Sequence, residues 1–163
     1  MPVELHRIDD RLIHGQVVVG WGQPMGLALI ALVDDAIAAS PWEQELYRLA
    51  VPPEIEVRFA SVADAAREYA AWAADPRPAM LITGSVEAMR RLVELVPAIR
   101  TVNLGGVHHG AGRVERLRYL YLTPEEERAL LALEARGVAV TAQDVPTGSP
   151  VPLRDILASR GAA

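Results

Sequence analysis

The order of apolar and polar positions predicts a chain in which strands and helices alternate. Apolar residues form short unbroken runs, or occupy every second position, in the segments that predict strands, and they recur at helical spacing in between. Five strands belong to this alternation: the run that contains Val3, Leu5 and Ile8, followed by residues 28–35, 54–60, 79–84 and 101–106. A last strand is predicted at residues 138–143, before a short C-terminal helix.

Hydroxyl side chains mark the predicted starts of four helices, because serine and threonine are favoured N-caps. At three of the four, an acidic residue follows three positions later, which is the capping-box spacing. The four caps are Ser40, Ser61, Ser85 and Thr123. Residues 113–122 alternate without an intervening helix, so a hairpin and an edge strand are both consistent with them.

Strands separated by helices predict a mainly parallel sheet, since right-handed crossovers lay helices over both of its faces. The expected fold class is α/β, an open, mainly parallel, doubly wound sheet of about six or seven strands. No second composition regime or long linker interrupts the chain, so residues 1–163 are expected to form a single domain.

Charge and composition narrow the classes of function. The chain has 16 Lys and Arg against 21 Asp and Glu, a net charge of -5, which argues against general affinity for nucleic acid or anionic membrane. It contains no cysteine, so disulfides, thiolate metal sites and a cysteine nucleophile are excluded. No apolar run approaches the roughly 20 residues of a membrane-spanning helix. A soluble, cytoplasmic protein is expected.

Polar residues follow several of the predicted strands. In open parallel sheets ligands bind beyond the carboxyl ends of the strands, where the strand order reverses. That rule predicts one crevice for the residues at these ends, which are Asp9, Asp10, His14, Asp34, Asp35, Gly84, Ser85, Asn103, Gly105 and Gly106.

His14 stands where the first strand gives way to a helix, in RIDDRLIHGQVVVGWG (7–22). A helix N-terminus disfavours an imidazolium and favours an anion, so a neutral, nucleophilic ring is expected. Arg11 and Arg7 could clamp a phosphoryl group bound there, because guanidinium matches phosphate oxygens. A histidine in this setting is more often a capping or hydrogen-bonding element than a catalyst, and the spacing alone leaves both interpretations open.

The segment RIDDRLIHGQVVVGW (7–21) resembles the phosphorylation site of the IIB component of the mannose/fructose/sorbose family of the sugar phosphotransferase system (PTS). Two further segments are similar to the same family, NLGGVHHGAG (103–112) and LTPEEERALLALEARGVAV (122–140). The similarity runs from the first strand to the C-terminal helix, and the family's open parallel sheet agrees with the fold predicted from the pattern.

The resemblance implies a set of site residues. His14 would be phosphorylated through its Nδ1 atom, Arg11 would bind the phosphoryl group, and Arg7, Asp9 and Asp10 would support them. Further candidates for contact with phosphate or substrate are Gly15, Gln16, Gly84, Ser85, Gly105, Gly106 and His108. No metal or other cofactor is expected, since the adjacent pair His108 and His109 lacks the spacing of a metal site.

The resemblance also implies an activity, a protein-histidine phosphotransferase that acts as a sugar phosphotransferase. The carrier would take phosphate from a separate IIA protein and pass it to a sugar that enters through the membrane components IIC and IID. It would be cytoplasmic and peripherally associated with that permease. Which hexose or amino sugar it serves is left open, as is a homo-oligomeric state.

Two alternatives belong to other classes of function. A phosphorylation-dependent regulatory module without a transport role is suggested by departures from the family pattern at Gly22-Gln23-Pro24 and at residues 83–86. A Rossmann nucleotide-binding domain fits the alternation, but no G-x-G-x-x-G follows the first strand.

Overall fold

A seven-stranded sheet forms the centre of the computed structural model, which describes residues 3–158 apart from the side chain of Gln16. The strand order is β3-β2-β4-β1-β5-β8-β9. The strands are β1 (Val3–Ile8), β2 (Leu29–Val33), β3 (Glu56–Ala60), β4 (Ala79–Thr83), β5 (Thr101–Leu104), β8 (Ala139–Ala142) and β9 (Val151–Pro152). The first six are parallel to their neighbours, and only β9 pairs antiparallel, with β8.

Helices lie on both faces of this sheet. They are a π-helical segment (Gln16–Gly22) that continues as α1 (Gln23–Met25), then α2 (Asp35–Ala38), α3 (Pro41–Leu49), α4 (Val62–Ala74), α5 (Val86–Leu95), α6 (Pro124–Ala135) and α7 (Leu153–Ala158). The predicted open, doubly wound, mainly parallel α/β sheet is therefore confirmed. None of the helices in the described residues is long and apolar enough to cross a bilayer.

Two apolar cores separate the layers. On one face Trp72, Met89 and Leu130 bring α4, α5 and α6 against the sheet. On the other face Val17 and Trp21 of the π-helical segment pack with residues of β2 and β4. The central strands read as continuous apolar runs because both of their faces are covered. All five residues of β2 and all five of β4 are buried.

The predicted caps are confirmed. Ser40, Ser61 and Ser85 each accept a hydrogen bond from the backbone N–H three residues on. Thr123 forms a reciprocal capping box with Glu126, since each side chain bonds the other's backbone N–H, at 3.0 and 2.8 Å. A carboxylate caps one further helix, α2, which was not predicted. Asp34 Oδ1 accepts a hydrogen bond from Ile37 N at 2.9 Å.

Residues 113–122 form the hairpin rather than an edge strand of the main sheet. β6 (Val114–Leu117) and β7 (Leu120–Leu122) pair antiparallel as a separate two-stranded sheet. Val107, three residues beyond β5, donates to the carbonyl of Tyr119 at 2.9 Å and so joins this hairpin to the end of the main sheet. The hairpin therefore lies beside the loop that follows β5.

Strand β1 occupies the middle of the sheet, between β4 and β5. Its last residue, Ile8, is in register with Thr83 of β4 and Leu104 of β5. The chain leaves all three strands at the same edge, so the segments that begin at Asp9, Gly84 and Gly105 are neighbours. The predicted crevice at the carboxyl ends lies here.

His6 of β1 is buried under α4, and its Nε2 atom lies 2.8 Å from the hydroxyl of Tyr69. Burial disfavours the charged ring and lowers the pKa of His6 from 6.5 to about 4. In the unfolded chain the ring binds a proton near its ordinary pKa, so protons favour the unfolded state between these two values.

We expect the free energy of unfolding to fall as the pH drops from 6.5 to about 4. The loss attributable to His6 is about 3 kcal/mol, since each unit of pKa difference corresponds to about 1.4 kcal/mol. Urea unfolding of the wild type and of His6→Gln across this range measures it, because glutamine can still bond Tyr69 but does not titrate. Parallel curves for the two proteins would contradict the assignment.

Candidate active site

Asp9 is the buried centre of the loop that follows β1. Its Oδ1 atom accepts from the backbone N–H of Arg11 at 3.1 Å, and its Oδ2 atom accepts from Arg7 Nη2 at 3.3 Å and from Gly106 N at 3.5 Å. Its own N–H donates to the carbonyl of Thr83 at 2.9 Å. Asp9 therefore holds three strand ends together, since its carboxylate joins the segments after β1 and β5 and its backbone N–H bonds the end of β4.

Leu12 gives this loop its shape. Its φ of 57° is in the left-handed region, which an L-residue other than glycine adopts at a cost of roughly 1–2 kcal/mol. Its side chain is buried and lies over Gly84, where a Cβ atom would be 3.4 Å from Leu12 Cδ2. The burial of the Leu12 side chain therefore holds this backbone conformation between Arg11 and His14.

His14 lies against the buried carboxylate. Its Nε2 atom is 3.5 Å from Asp9 Oδ1 and is itself buried, with no hydrogen bond to any described residue. The side chain is 18% exposed. The ring thus presents its Nε2 atom to Asp9 and keeps part of its surface open to solvent.

The lowered pKa of His14 agrees in direction with the predicted neutral imidazole, but its main cause differs from the expected one. Burial lowers the pKa of His14 below 6.5, the Asp9 carboxylate opposes this, and the charge of Arg11 lowers the pKa further. The helix terminus was expected to be the cause. His14 instead precedes a π-helical segment, and desolvation of the ring is the largest contribution.

Arg11 lies at the solvent-exposed side of the loop after β1, which is called the mouth of the site below. Its side chain is 42% exposed, and its Nε atom is 3.8 Å from Asp9 Oδ1, the same oxygen that His14 faces. A half-exposed guanidinium at this position is within reach of both Asp9 and the solvent side of His14.

Arg7 is placed differently from the expectation that it clamps a phosphoryl group. It is 1% exposed, and Nη1 donates to Asn103 Oδ1 at 2.5 Å and to the carbonyl of Gln143 at 2.9 Å. Nη2 donates to Asp9 and, at 3.2 Å, to the carbonyl of Asp144. All four terminal N–H groups are committed to protein acceptors, so Arg7 supports Asp9 instead of contacting a ligand.

Trp21 and the loop after β8 complete the surroundings of Arg7. The guanidinium lies 4.7 Å from the centre of the Trp21 ring, whose Nε1 donates to the carbonyl of Asp144 at 3.2 Å. The contributions of Gln143 and Asp144 were not predicted. Their position could have indicated them, since they follow the carboxyl end of β8, which lies next to β5. Their residue types could not, because the acceptors are backbone carbonyls, which every residue has.

Gly105 makes room for Arg7. A Cβ atom at this position would lie 2.5 Å from Arg7 Cζ, so the guanidinium can cross the backbone only because no side chain is there. The N–H groups of the glycine pair are engaged within the protein, that of Gly105 by the carbonyl of Ile8 at 2.7 Å and that of Gly106 by Asp9. A direct phosphate contact from these two amides stays a prediction.

Asp10 holds the loop after β5. Its Oδ2 atom accepts from the backbone N–H of His108 at 2.7 Å, and its Oδ1 atom lies 2.6 Å from His108 Nδ1. The N–H of Asp10 donates to the carbonyl of Gly106 at 2.8 Å. Two predicted residues that are 98 positions apart are therefore in direct contact at the crevice.

The remaining candidates are spread around this centre. Ser85 caps α5, and its carbonyl accepts from the hydroxyl of Thr83 at 3.2 Å. Gly15 has open space where a Cβ atom would point, and the side chain of Gln16 lies outside the described residues. Asp35 serves the fold, since it accepts from Val62 N at 2.8 Å and pairs with Arg91. Within residues 3–158 no group of three or more potential ligands is arranged around a metal position.

The fold and this loop together define a class of protein, an open doubly wound α/β domain with a histidine-centred site at the carboxyl ends of its central strands. The family model described as PTS system sorbose subfamily IIB component matches residues 3–163. The chain belongs to this family, and the resemblance found in the sequence is confirmed.

Relatives and solved structures agree. The N-acetylgalactosamine-specific phosphotransferase enzyme IIB component 1 of Escherichia coli K12 is 32% identical over 143 residues, which are 87% of this chain and 90% of the relative. The mannose-specific EIIAB component of the same strain is 29% identical over 96% of the chain, and the chain spans about half, 49%, of its length.

Among solved structures, the IIBSor domain of the sorbose permease from Klebsiella pneumoniae gives a TM-score of 0.87 at 26% identity, with 97% of each chain covered. ManxB from Thermoanaerobacter tengcongensis gives 0.86 at 28% identity, with 96% of this chain and 95% of that chain covered.

Substitution at the glycine pair tests the crossing of Arg7. We expect Gly105→Ala to lower the free energy of unfolding by about 3 kcal/mol, because the added methyl group forces a buried guanidinium with four hydrogen bonds to move. Gly106→Ala is the matched control, since its Cβ atom would have its nearest neighbours at 3.7 Å, and it should change stability little. Urea unfolding compares them, and equal stabilities would contradict the packing described.

Removal of the charge at Arg11 tests the electrostatics of His14. Because this charge lowers the pKa of His14, Arg11→Gln should raise that pKa toward 6.5. Long-range proton–nitrogen NMR of the imidazole across a pH series measures the midpoint. Arg128→Gln, an exposed change on α6, should leave it where it is. A midpoint that stays put or moves downward in Arg11→Gln would show that Arg11 does not act on the ring.

Proposed function

We propose that the chain is the IIB phosphoryl carrier of a sugar phosphotransferase system, and that His14 carries the phosphoryl group. The observation that carries the proposal is the environment of His14. Burial lowers the pKa of the ring, Nε2 lies 3.5 Å from the buried carboxylate of Asp9, and the half-exposed Arg11 lies beside the same carboxylate.

The first step is phosphorylation of His14 at Nδ1. When Nε2 carries the hydrogen and faces Asp9, the lone pair of Nδ1 is available on the other side of the ring. That pair attacks the phosphorus of a phosphohistidine on the donor, and the bond to the donor's nitrogen breaks with its electrons returning to the donor ring. No proton has to be removed from either partner.

Asp9 and Arg11 then act on the product. Phosphorylation of Nδ1 makes the ring more acidic at Nε2, and the Asp9 carboxylate stabilises the hydrogen held there. Arg11 pairs with the new phosphoryl oxygens, which a guanidinium can do with two N–H groups. Arg7 acts indirectly, because it holds Asp9 from beneath and does not reach the phosphoryl group.

The partners follow from the family. We propose that the donor is a PTS IIA component and that the acceptor is a sugar presented by membrane IIC and IID components, so that this single domain works as a protein-histidine phosphotransferase at the cytoplasmic face of a permease. Relatives are named for mannose, N-acetylgalactosamine, fructose and sorbose, which makes a hexose or amino sugar the acceptor class.

Phosphate labelling tests the carrier. With phosphoenolpyruvate, the general phosphotransferase proteins and a IIA donor, we expect the wild type to take up one acid-labile phosphate and His14→Ala to take up none. Arg11→Ala should be labelled at least tenfold more slowly, because it lacks the charge that meets the phosphoryl group. His109→Ala is a control of the same residue type in the neighbouring loop.

Equal labelling of wild type and His14→Ala would overturn the assignment of the phosphorylated residue. A chase of labelled protein with membranes that contain IIC and IID and a panel of sugars then tests the acceptor. Release of sugar phosphate supports the carrier. Labelled protein that gives up phosphate to no sugar would point to the regulatory module instead.

A further inference from the structure

We propose that His108, held by Asp10, is the general base that takes the proton from the hydroxyl acceptor when the phosphoryl group leaves His14. The inference rests on the proposed function and extends it from the phosphorylated residue to the residue that activates the acceptor.

Asp10 and His108 form a carboxylate–imidazole pair. A carboxylate oxygen accepts, so His108 Nδ1 carries the hydrogen in its 2.6 Å contact with Asp10 Oδ1. The other ring nitrogen, Nε2, is then the basic one, and the side chain is 58% exposed. A carboxylate that orients an imidazole and stabilises its protonated form is the arrangement that makes histidine a base in hydrolytic triads.

The backbone of His108 is fixed on both sides. Its N–H is bound by Asp10 at 2.7 Å, and its carbonyl accepts from Arg113 Nη1 at 3.0 Å. Arg113 is in turn held by both carboxylate oxygens of Glu126 in the first turn of α6. The ring is therefore exposed but carried by a well-tethered loop, as a group that must meet an acceptor in one geometry requires.

The surroundings of Gly106 show that His108 lies near Arg11 and Asp9. A point one bond beyond its Cα atom, where a Cβ would lie, is 3.7 Å from Arg11 Nη2, 3.7 Å from Asp9 Oδ1 and 3.7 Å from His108 Cε1. His14 Nε2 is 3.5 Å from that same Asp9 oxygen. His108 therefore lies close to Arg11 and to the Asp9 carboxylate that His14 faces, on the β5 side.

Transfer to a sugar needs a base that phosphorylation of His14 does not. The hydroxyl oxygen attacks phosphorus, the bond from phosphorus to His14 Nδ1 breaks, and its electron pair returns to the imidazole. The hydroxyl proton must leave as the new oxygen–phosphorus bond forms, and we assign it to His108 Nε2. Among the described groups at the mouth, Asp9 is buried, Asp10 is bonded to His108 and Arg11 is a cation, so His108 is the exposed base.

Because only the transfer to a hydroxyl needs a base, loss of His108 should slow that step and leave phosphorylation of His14 intact. We expect His108→Ala to be labelled on His14 by a IIA donor within about twofold of the wild-type rate, and to lose its phosphate to a hydroxyl acceptor about 100-fold more slowly. Water is the probe for the second step, followed as release of inorganic phosphate from the charged protein. His109→Ala is the matched control, since that ring packs edge-on against Tyr121 instead, and it should behave as wild type in both steps.

Charging with phosphoramidate, with His14→Ala as the background, makes the second measurement independent of any IIA donor. A failure of IIA to label His14 therefore counts against the proposed function, whereas release at the wild-type rate from His108→Ala overturns the role of His108. Added imidazole should restore release in His108→Ala. A parallel loss of both steps, seen also in His108→Gln, would show that His108 only supports the loop, and would equally overturn the proposal.

Discussion

The site depends on one buried negative charge, the carboxylate of Asp9. A charge removed from water is tolerated only when it is paired and hydrogen-bonded, and Asp9 is bound by Arg7, by the N–H of Arg11 and by the N–H of Gly106. These bonds come from two different strand ends. The hydrogen bonds that compensate the buried carboxylate therefore also hold the loop after β1, which includes His14, in a defined position at the end of the sheet.

The sheet supplies the setting for that charge. Because β1 lies between β4 and β5, its carboxyl end is flanked by two other parallel strand ends, and loops from all three meet there. Asp9 fastens the β1 loop from within, and Asp10 fastens the β5 loop from the surface through His108. The adjacent residues Asp9 and Asp10 therefore have different roles. The buried Asp9 carboxylate holds the loop from inside, and Asp10 bonds His108 at the surface.

Much of this could be predicted from sequence, and the limits are physical. Caps such as Thr123 with Glu126 were predicted because they depend on residues three positions apart, and the crevice was predicted because parallel strands share a carboxyl edge. The burial of Arg7 was not, since neither charge nor spacing tells that a glycine 98 residues later leaves a passage for its guanidinium. The π-helical segment and the two-residue strand β9 were also not predicted, because packing determines both and neither has a distinctive sequence pattern.

The bonds from Arg7 to the carbonyls of Gln143 and Asp144 join positions 136 and 137 residues apart. During synthesis, the segment with His14 leaves the ribosome long before those two acceptors are made. A nascent chain can therefore carry His14 for most of translation while Arg7 lacks its full set of partners, and the site becomes complete only when the last parallel strand has been added.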